Sequence, residues 1–132
     1  MRVLLGCLAV AALASSAAAQ ETPVERGDYL VNRVTNCGDC HTPRGEHGRP
    51  IAGKELTGAP FNSRPLHPIP GYGVYAPALR GLPAGYSKAD LAKLLQTGVR
   101  PDGTHTTPPM PPFRLDEQDA QAVAAYLASL KP

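Results

Sequence analysis

The sequence predicts a small all-α fold, with three to five helices and long loops rich in proline and glycine. Three segments carry helical apolar spacing or helix-capping residues, and no segment alternates apolar and polar residues well enough to indicate a strand. The chain has 15 prolines and 13 glycines among 132 residues. With so many loop residues, a domain of this size needs a covalent staple or a large apolar ligand to complete its core.

The first predicted helix covers residues 24–35, where Leu30, Val31 and Val34 lie on one side. The second begins at Ser87, whose hydroxyl can form a capping box with Asp90. Its apolar stripe consists of Leu91, Leu94 and Leu95. Gly98 is expected to end this helix. These signals are local, so they predict where each helix begins or ends without knowledge of the fold.

The third predicted helix begins at Asp116, with Glu117 and Asp119 near its positively polarised end. Its apolar face has the spacing of Val123, Tyr126, Leu127 and Leu130. The intervening loops, residues 42–86 and 99–114, are dense in proline and glycine. Loops of this length inside a compact domain are usually functional or disordered.

Residues 1–19 are expected to be a cleaved secretory signal peptide. Arg2 supplies a positive charge, an apolar run follows, and the segment ends in three alanines. The run is too short to span a bilayer comfortably, although an uncleaved membrane anchor is the alternative interpretation. The prediction is therefore a periplasmic protein without membrane insertion after cleavage.

Residues 20–132 are expected to form one domain, which suits a segment of this length. Cleavage would leave Cys37 and Cys40 as its cysteines and Met110 as its methionine. The formal charge of the whole chain is +2, which gives no reason to expect a nucleic-acid partner.

Residues 37–41 read Cys-Gly-Asp-Cys-His, which is the pattern of covalent haem attachment. Each of the thiols of Cys37 and Cys40 can form a thioether with one vinyl group of a haem. His41 then lies beneath the iron as an axial ligand. The motif predicts one covalent haem c, with its iron, for this chain.

Three other interpretations of this motif remain open. A thioredoxin-like dithiol requires a βαβ context, and a structural zinc site requires a fourth ligand, which could come from His47, His67 or His105. A plain disulfide would close a very small loop and contribute little stability.

Met110 is the candidate for the second axial ligand. Prolines on both sides of Met110 restrict the backbone and remove amide donors. They therefore limit the directions in which its thioether can point. Sulfur ligation favours ferrous iron and raises the reduction potential, as histidine–methionine ligation does in cytochromes c. Methionine is also a common core filler, and a loop histidine or an open sixth position are the alternatives.

From residue 24 to residue 130 the sequence resembles the class I c-type cytochromes. The matching parts occur in the family's order: residues 27–30 (Gly-Asp-Tyr-Leu), the haem motif, residues 77–81 (Pro-Ala-Leu-Arg-Gly), the helix from Ser87, the methionine–proline loop and residues 125–127 (Ala-Tyr-Leu). Residues 40–45 (Cys-His-Thr-Pro-Arg-Gly) resemble the haem domains of cytochrome subunits that serve bacterial periplasmic dehydrogenases.

The resemblance implies the small cytochrome c fold, wrapped around one covalently bound haem, in which the first and last helices cross. Gly27 would let the two backbones approach, and Tyr126 would fill the crossing. It implies thioether bonds from Cys37 and Cys40 and axial ligation by His41 and Met110. It also implies a loop carbonyl near Pro50 that accepts a hydrogen bond from His41 and orients the ring.

The expected function is electron transfer without catalysis, between a dehydrogenase and a respiratory-chain acceptor. The partners would be a periplasmic dehydrogenase, a terminal oxidase or another cytochrome. The haem would be shielded from water by Leu79, Leu91, Leu94, Leu95, Val99 and Phe113. Two alternatives stay open: a peroxidase-like haem enzyme or sensor with a labile sixth ligand, and a subunit fixed in a dehydrogenase complex.

Overall fold

The computed structural model describes residues 20–61 and 63–132. The predicted signal peptide, residues 1–19, lies outside the described residues. The elements are helix α1 (Pro23–Tyr29), a π-helical turn (Leu30–Val34), helix α2 (Gly38–His41), a 3-10 turn (Glu46–Gly48), strands β1 (Ala59–Pro60) and β2 (Tyr75–Ala76), and helices α3 (Lys88–Thr97) and α4 (Glu117–Ser129). The predicted mainly helical architecture is confirmed, and no helix within the described ranges is long and apolar enough to cross a membrane.

The first predicted helix is present, and its last turn is wider than an α-helix. Thr22 caps α1 through a capping box with Glu25. The chain then runs without a break into the π-helical turn, where the hydroxyl of Thr35 donates to the carbonyl of Leu30 at 2.9 Å. Asn36 follows with φ 48, a conformation that asparagine adopts more readily than most residues. This turn redirects the chain into α2, which carries the haem motif.

Helices α3 and α4 begin where the capping residues predict. The Ser87 hydroxyl accepts from the amide of Asp90 at 3.1 Å, and the Asp90 carboxylate accepts from the amide of Ser87 at 3.0 Å. Gly98 ends α3 in the left-handed conformation, with φ 74. Asp116 caps α4 by accepting from the amide of Asp119 at 2.8 Å. The local sequence signals are therefore confirmed for both helices.

Helix α1 crosses α4 at very short range, and Gly27 makes the crossing possible. A Cβ atom added at Gly27 would lie 2.1 Å from the carbonyl oxygen of Ala122 and 2.6 Å from the Cβ of Tyr126. At the edge of the crossing, Arg26 donates to both carboxylate oxygens of Asp119, at 2.8 and 2.9 Å. The predicted close approach at Gly27, with Tyr126 at the crossing, is what the structure shows.

We expect Gly27→Ala to destabilise the haem-loaded protein by about 2 kcal/mol, the upper end of the overpacking cost less the gain in helix propensity. Overpacking costs about 1–3 kcal/mol, and contact with backbone atoms leaves the new methyl no flexible neighbour to displace, so this cost exceeds the ~1 kcal/mol that alanine gains in helix propensity. Denaturant unfolding would measure the difference. Gly45→Ala is the matched control, because its Cβ would meet only Ile51, at 3.6 Å. Equal unfolding midpoints for the two variants would contradict the tight crossing.

The prediction that the chain has no strand is wrong. Strands β1 and β2 pair antiparallel, with Ala59 opposite Ala76 and Pro60 opposite Tyr75. Each strand has two residues, which is too short for an alternating pattern to show in the sequence. The pair closes the loop between them and leads directly into Pro77. The amide of Leu79 then donates to the carbonyl of Leu56 at 2.9 Å, so this part of the loop is fixed.

Candidate functional site

A cavity of about 370 Å³ lies between α3, α4, the segment that carries the two cysteines, and the loops. Its wall is largely apolar and includes Leu79, Leu91, Leu94, Leu95, Phe113, Val123 and Leu127. Five of the six predicted shielding residues are among these. Val99 is the exception and does not line the cavity, because the chain turns away from α3 after Gly98 and pairs Val99 with His105.

The four predicted site residues, Cys37, Cys40, His41 and Met110, all line this one cavity. Cys37, Cys40 and His41 lie on a single helical turn, in which the amide of His41 donates to the carbonyl of Cys37 at 2.9 Å. Both thiols are free. Burial raises the pKa of the Cys37 thiol, and its contact with the hydroxyl of Thr35 at 3.2 Å opposes that effect. The structure therefore presents two thiols at the edge of an apolar space.

The ring of His41 is buried and held in one orientation. Its Nδ1 lies 2.7 Å from the carbonyl oxygen of Pro77, so Nδ1 is the protonated nitrogen that donates there. Nε2 is then free to bind a metal, which is how an outer partner orients a ligating histidine. Burial lowers the pKa of His41, and the hydrogen bond to Pro77 opposes this change. Burial is the larger of the two effects, and it favours the neutral imidazole, which is the metal-binding form.

The expectation that a carbonyl near Pro50 orients His41 is wrong. Pro50 is exposed and pairs with Arg44 in an isolated bridge. Pro77 takes the role instead, because the β1–β2 pair brings the start of the 77–81 segment against the haem motif. The backbone of His41 is fixed as well, since its carbonyl accepts from the amide of Gly58 at 2.8 Å.

Met110 reaches the cavity from the loop between α3 and α4. Its amide donates to the carbonyl of Thr107 at 3.1 Å, and the amide of Gly73 donates to the carbonyl of Pro108 at 2.7 Å. The Met110 side chain is partly buried and packs against the core. The loop is thus anchored immediately before the position that carries the thioether.

The residues that line the cavity fit the haem that the motif predicts. Two thiols, an imidazole with a free Nε2 and a thioether surround one apolar space, which is the donor set of a covalently bound haem with sulfur and nitrogen ligation. The histidines that could complete a zinc site, His47, His67 and His105, are exposed and do not line the described cavity. A thioredoxin-like site also finds no support, because the strand pair is antiparallel and not part of a βαβ unit.

Comparison with known proteins identifies the family that this chain resembles. A family model described as Cytochrome c matches residues 24–131. The cytochrome c subunit of an alcohol dehydrogenase (quinone) from Gluconobacter oxydans is 33% identical over 136 residues, which cover 97% of this chain and 26% of that protein. A diheme cytochrome c-type protein from Cereibacter sphaeroides is 35% identical over 108 residues, which cover 78% of this chain and 34% of that protein. The chain thus spans about a quarter to a third of the length of these relatives.

Proposed function

The chain belongs to the cytochrome c family, and we propose that it is a periplasmic electron carrier with one haem c, bonded to Cys37 and Cys40 and ligated by His41 and Met110. Membership of the family makes it an electron-transfer haem protein with covalently bound haem c. The attachment residues, the axial ligands, the single haem and the location are the parts we propose.

The observation that carries the proposal is the meeting of four side chains around one apolar cavity. Cys37, Cys40 and His41 come from one helical turn, and Met110 comes from a loop far along the chain. Nothing in the sequence position of Met110 requires it to meet the other three. The bond from Nδ1 of His41 to the carbonyl of Pro77, at 2.7 Å, supports ligation through Nε2.

The haem, when bound, supplies an iron that alternates between ferrous and ferric states. His41 and Met110 would occupy both axial positions, so neither water nor substrate would enter when the charge of the iron changes. Leu91, Leu94 and Leu95 exclude water from the wall. A wall of low polarity disfavours the additional positive charge of ferric iron, and thioether ligation acts in the same direction. The residues therefore favour a high potential and little rearrangement during electron transfer.

We propose that the protein relays electrons between a periplasmic dehydrogenase and a respiratory-chain acceptor, such as a terminal oxidase or another cytochrome. The relative from Gluconobacter oxydans is a cytochrome subunit of a dehydrogenase, which supports a dehydrogenase as the donor. Residues 1–19 have the composition of an export signal, which supports the periplasm. Contacts with redox partners are expected to be small in area and short-lived.

Protein matured in a bacterial periplasm tests the attachment directly. We expect a pigment that stays with the chain on a denaturing gel and is not extracted by acidified organic solvent, because thioether bonds survive both treatments. The amount of haem iron per chain should be one. A colourless product, or a pigment that the solvent removes, would contradict thioether attachment at Cys37 and Cys40.

A further inference from the structure

A carboxylate lies inside the haem-attachment motif, at Asp39. Among the cavity-lining residues in the described part of the chain, Asp39 is the one acidic residue and Arg100 the one lysine or arginine. Asp39 directly precedes Cys40, so thioether bonds at Cys37 and Cys40 would fix it close to the haem. A nearby negative charge stabilises ferric iron, because ferric iron carries one more positive charge than ferrous iron.

The charge of Asp39 is compensated by Arg44. Nη2 of Arg44 donates to Oδ1 of Asp39 at 2.9 Å, and Nη1 donates to the carbonyl of Gly48 at 2.9 Å. The guanidinium therefore has one anchor in the motif and one in the loop that follows it. The other ion pair among residues 20–61 and 63–132 is Arg26–Asp119, at the crossing of α1 with α4. Arg44 is thus the one cation within ion-pair distance of Asp39 in these ranges.

The 43–51 loop keeps Arg44 in this position. Arg44 and Pro50 form an isolated antiparallel bridge, and the amide of Ile51 donates to the carbonyl of Pro43 at 3.0 Å. The loop follows α2 directly, so the chain turns back and places the guanidinium on the helical turn that carries the two cysteines. The Arg44 side chain is 34% exposed, whereas that of Asp39 is 72% exposed. The loop, more than the carboxylate, therefore determines where the cation lies.

We propose that Arg44 is a positioning residue for electron transfer, which neutralises Asp39 beside the haem and thereby keeps the reduction potential high. With the pair intact, the carboxylate and the guanidinium act on the iron in opposite directions, and their net effect is small. Without Arg44, the uncompensated carboxylate stabilises ferric iron and lowers the potential. Without Asp39, the uncompensated guanidinium destabilises ferric iron and raises the potential. This inference rests on the proposed attachment of haem at Cys37 and Cys40.

The exposure of the pair predicts how each single variant responds to salt. Dissolved ions screen exposed charges over a distance of about 10 Å at 0.1 M ionic strength. The potential of a protein that has lost one partner should therefore approach the wild-type value as salt is added. The wild-type potential should change less, because the two opposite charges already cancel each other. The effect of either charge is modest even at low salt, since water surrounds part of both side chains.

The test is a redox titration, at low and high salt, of the haem-loaded wild type, Arg44→Gln, Asp39→Asn, the double variant and the control Arg49→Gln. We expect Arg44→Gln at low salt to shift the ferrous-to-ferric equilibrium toward the ferric state about threefold, which is about 28 mV for one electron. Asp39→Asn should shift it about as far in the opposite direction. Arg49 is exposed and does not line the cavity, so Arg49→Gln removes the same charge from the same loop and should shift the potential less.

The double variant Asp39→Asn/Arg44→Gln separates charge from loop structure. Loss of Arg44 also removes its bond to the carbonyl of Gly48, and a structural effect of that loss would persist in the double variant. Loss of charge compensation would not persist, because the charge of Asp39 is absent as well. We therefore expect the double variant to regain the wild-type potential. A double variant that keeps the shift of Arg44→Gln, or an equal shift in Arg49→Gln, would overturn the inference.

If Arg44→Gln fails to mature, Asp39→Asn decides. It alters an exposed side chain whose one hydrogen bond within the described residues is to Arg44, and its potential must rise at low salt and return toward the wild-type value at high salt. An unchanged potential in Asp39→Asn contradicts the inference. A colourless product contradicts the proposed haem attachment instead, so the failure of the proposed function is distinguishable from the failure of this inference.

Discussion

Replacement of Met110 by alanine is expected to lower the midpoint potential by more than about 0.1 V, since the identity of the axial ligands sets haem potentials over a range of about 0.8 V. It is also expected to let ferrous iron bind carbon monoxide. The thioether favours ferrous iron, and its removal leaves one axial position to water or to an added ligand. The loop around residue 110 keeps its anchors, because the bonds at Thr107 and Pro108 use backbone atoms.

The Met110→Ala prediction is checked by redox titration and by the visible spectrum with and without carbon monoxide. Phe113→Leu is the matched control, because Phe113 lines the same cavity from the same loop but carries no ligand atom. We expect this control to remain closed to carbon monoxide. An unchanged spectrum in Met110→Ala would exclude ligation by this residue. Rapid binding of carbon monoxide by the wild type would favour the peroxidase-like enzyme or sensor instead.

The chain without haem is expected to be largely unfolded. The double variant Cys37→Ala/Cys40→Ala, which cannot form either thioether, is therefore expected to lose most of its folded structure. An empty apolar cavity destabilises a protein by about 24 cal/mol for each Å³. For the cavity of about 370 Å³, this amounts to roughly 9 kcal/mol, an upper limit because water enters an open cavity. The entire stability of a domain is about 5–15 kcal/mol. Loss of the haem therefore removes most of the free energy that keeps the loops packed against α3 and α4.

Circular dichroism and thermal melting of the double cysteine variant check this expectation. The single variant Cys40→Ala is the control, since Cys37 can still form one thioether, and we expect it to retain pigment and a cooperative transition at lower temperature. Cooperative melting of the pigment-free double variant, with helix content equal to that of the wild type, would show that the protein core is sufficient without haem.

The parts of the fold that the sequence predicts are those specified by neighbouring residues. Ser87 and Asp90 meet within one helical turn, and Asp116 needs only the amide of Asp119. Gly98 requires only its own left-handed conformation. The placement of two cysteines and a histidine on one turn is equally local, so the sequence alone predicts the candidate attachment site.

The parts that sequence reasoning missed depend on contacts between distant segments. Pro77 was not identified as the partner of His41, because its carbonyl comes into range only through the pairing of β1 with β2. The sequence also does not single out Arg100, since its position in the cavity wall depends on where α3 ends. Val99, the residue before Arg100, pairs instead with His105 and does not line the cavity. A proline or an arginine in a loop carries no local mark of such a role.

The crossing of α1 with α4 determines when, during synthesis, this protein can acquire its structure. The first helix has its partner in the last one, so a nascent chain that ends before Glu117 has no surface on which α1 can pack. Contacts between residues far apart in the sequence also slow folding, because closing a long loop costs entropy. Carboxyl-terminal truncation before Glu117 is therefore expected to leave α1 without its packing partner and to abolish cooperative folding of the haem-loaded protein.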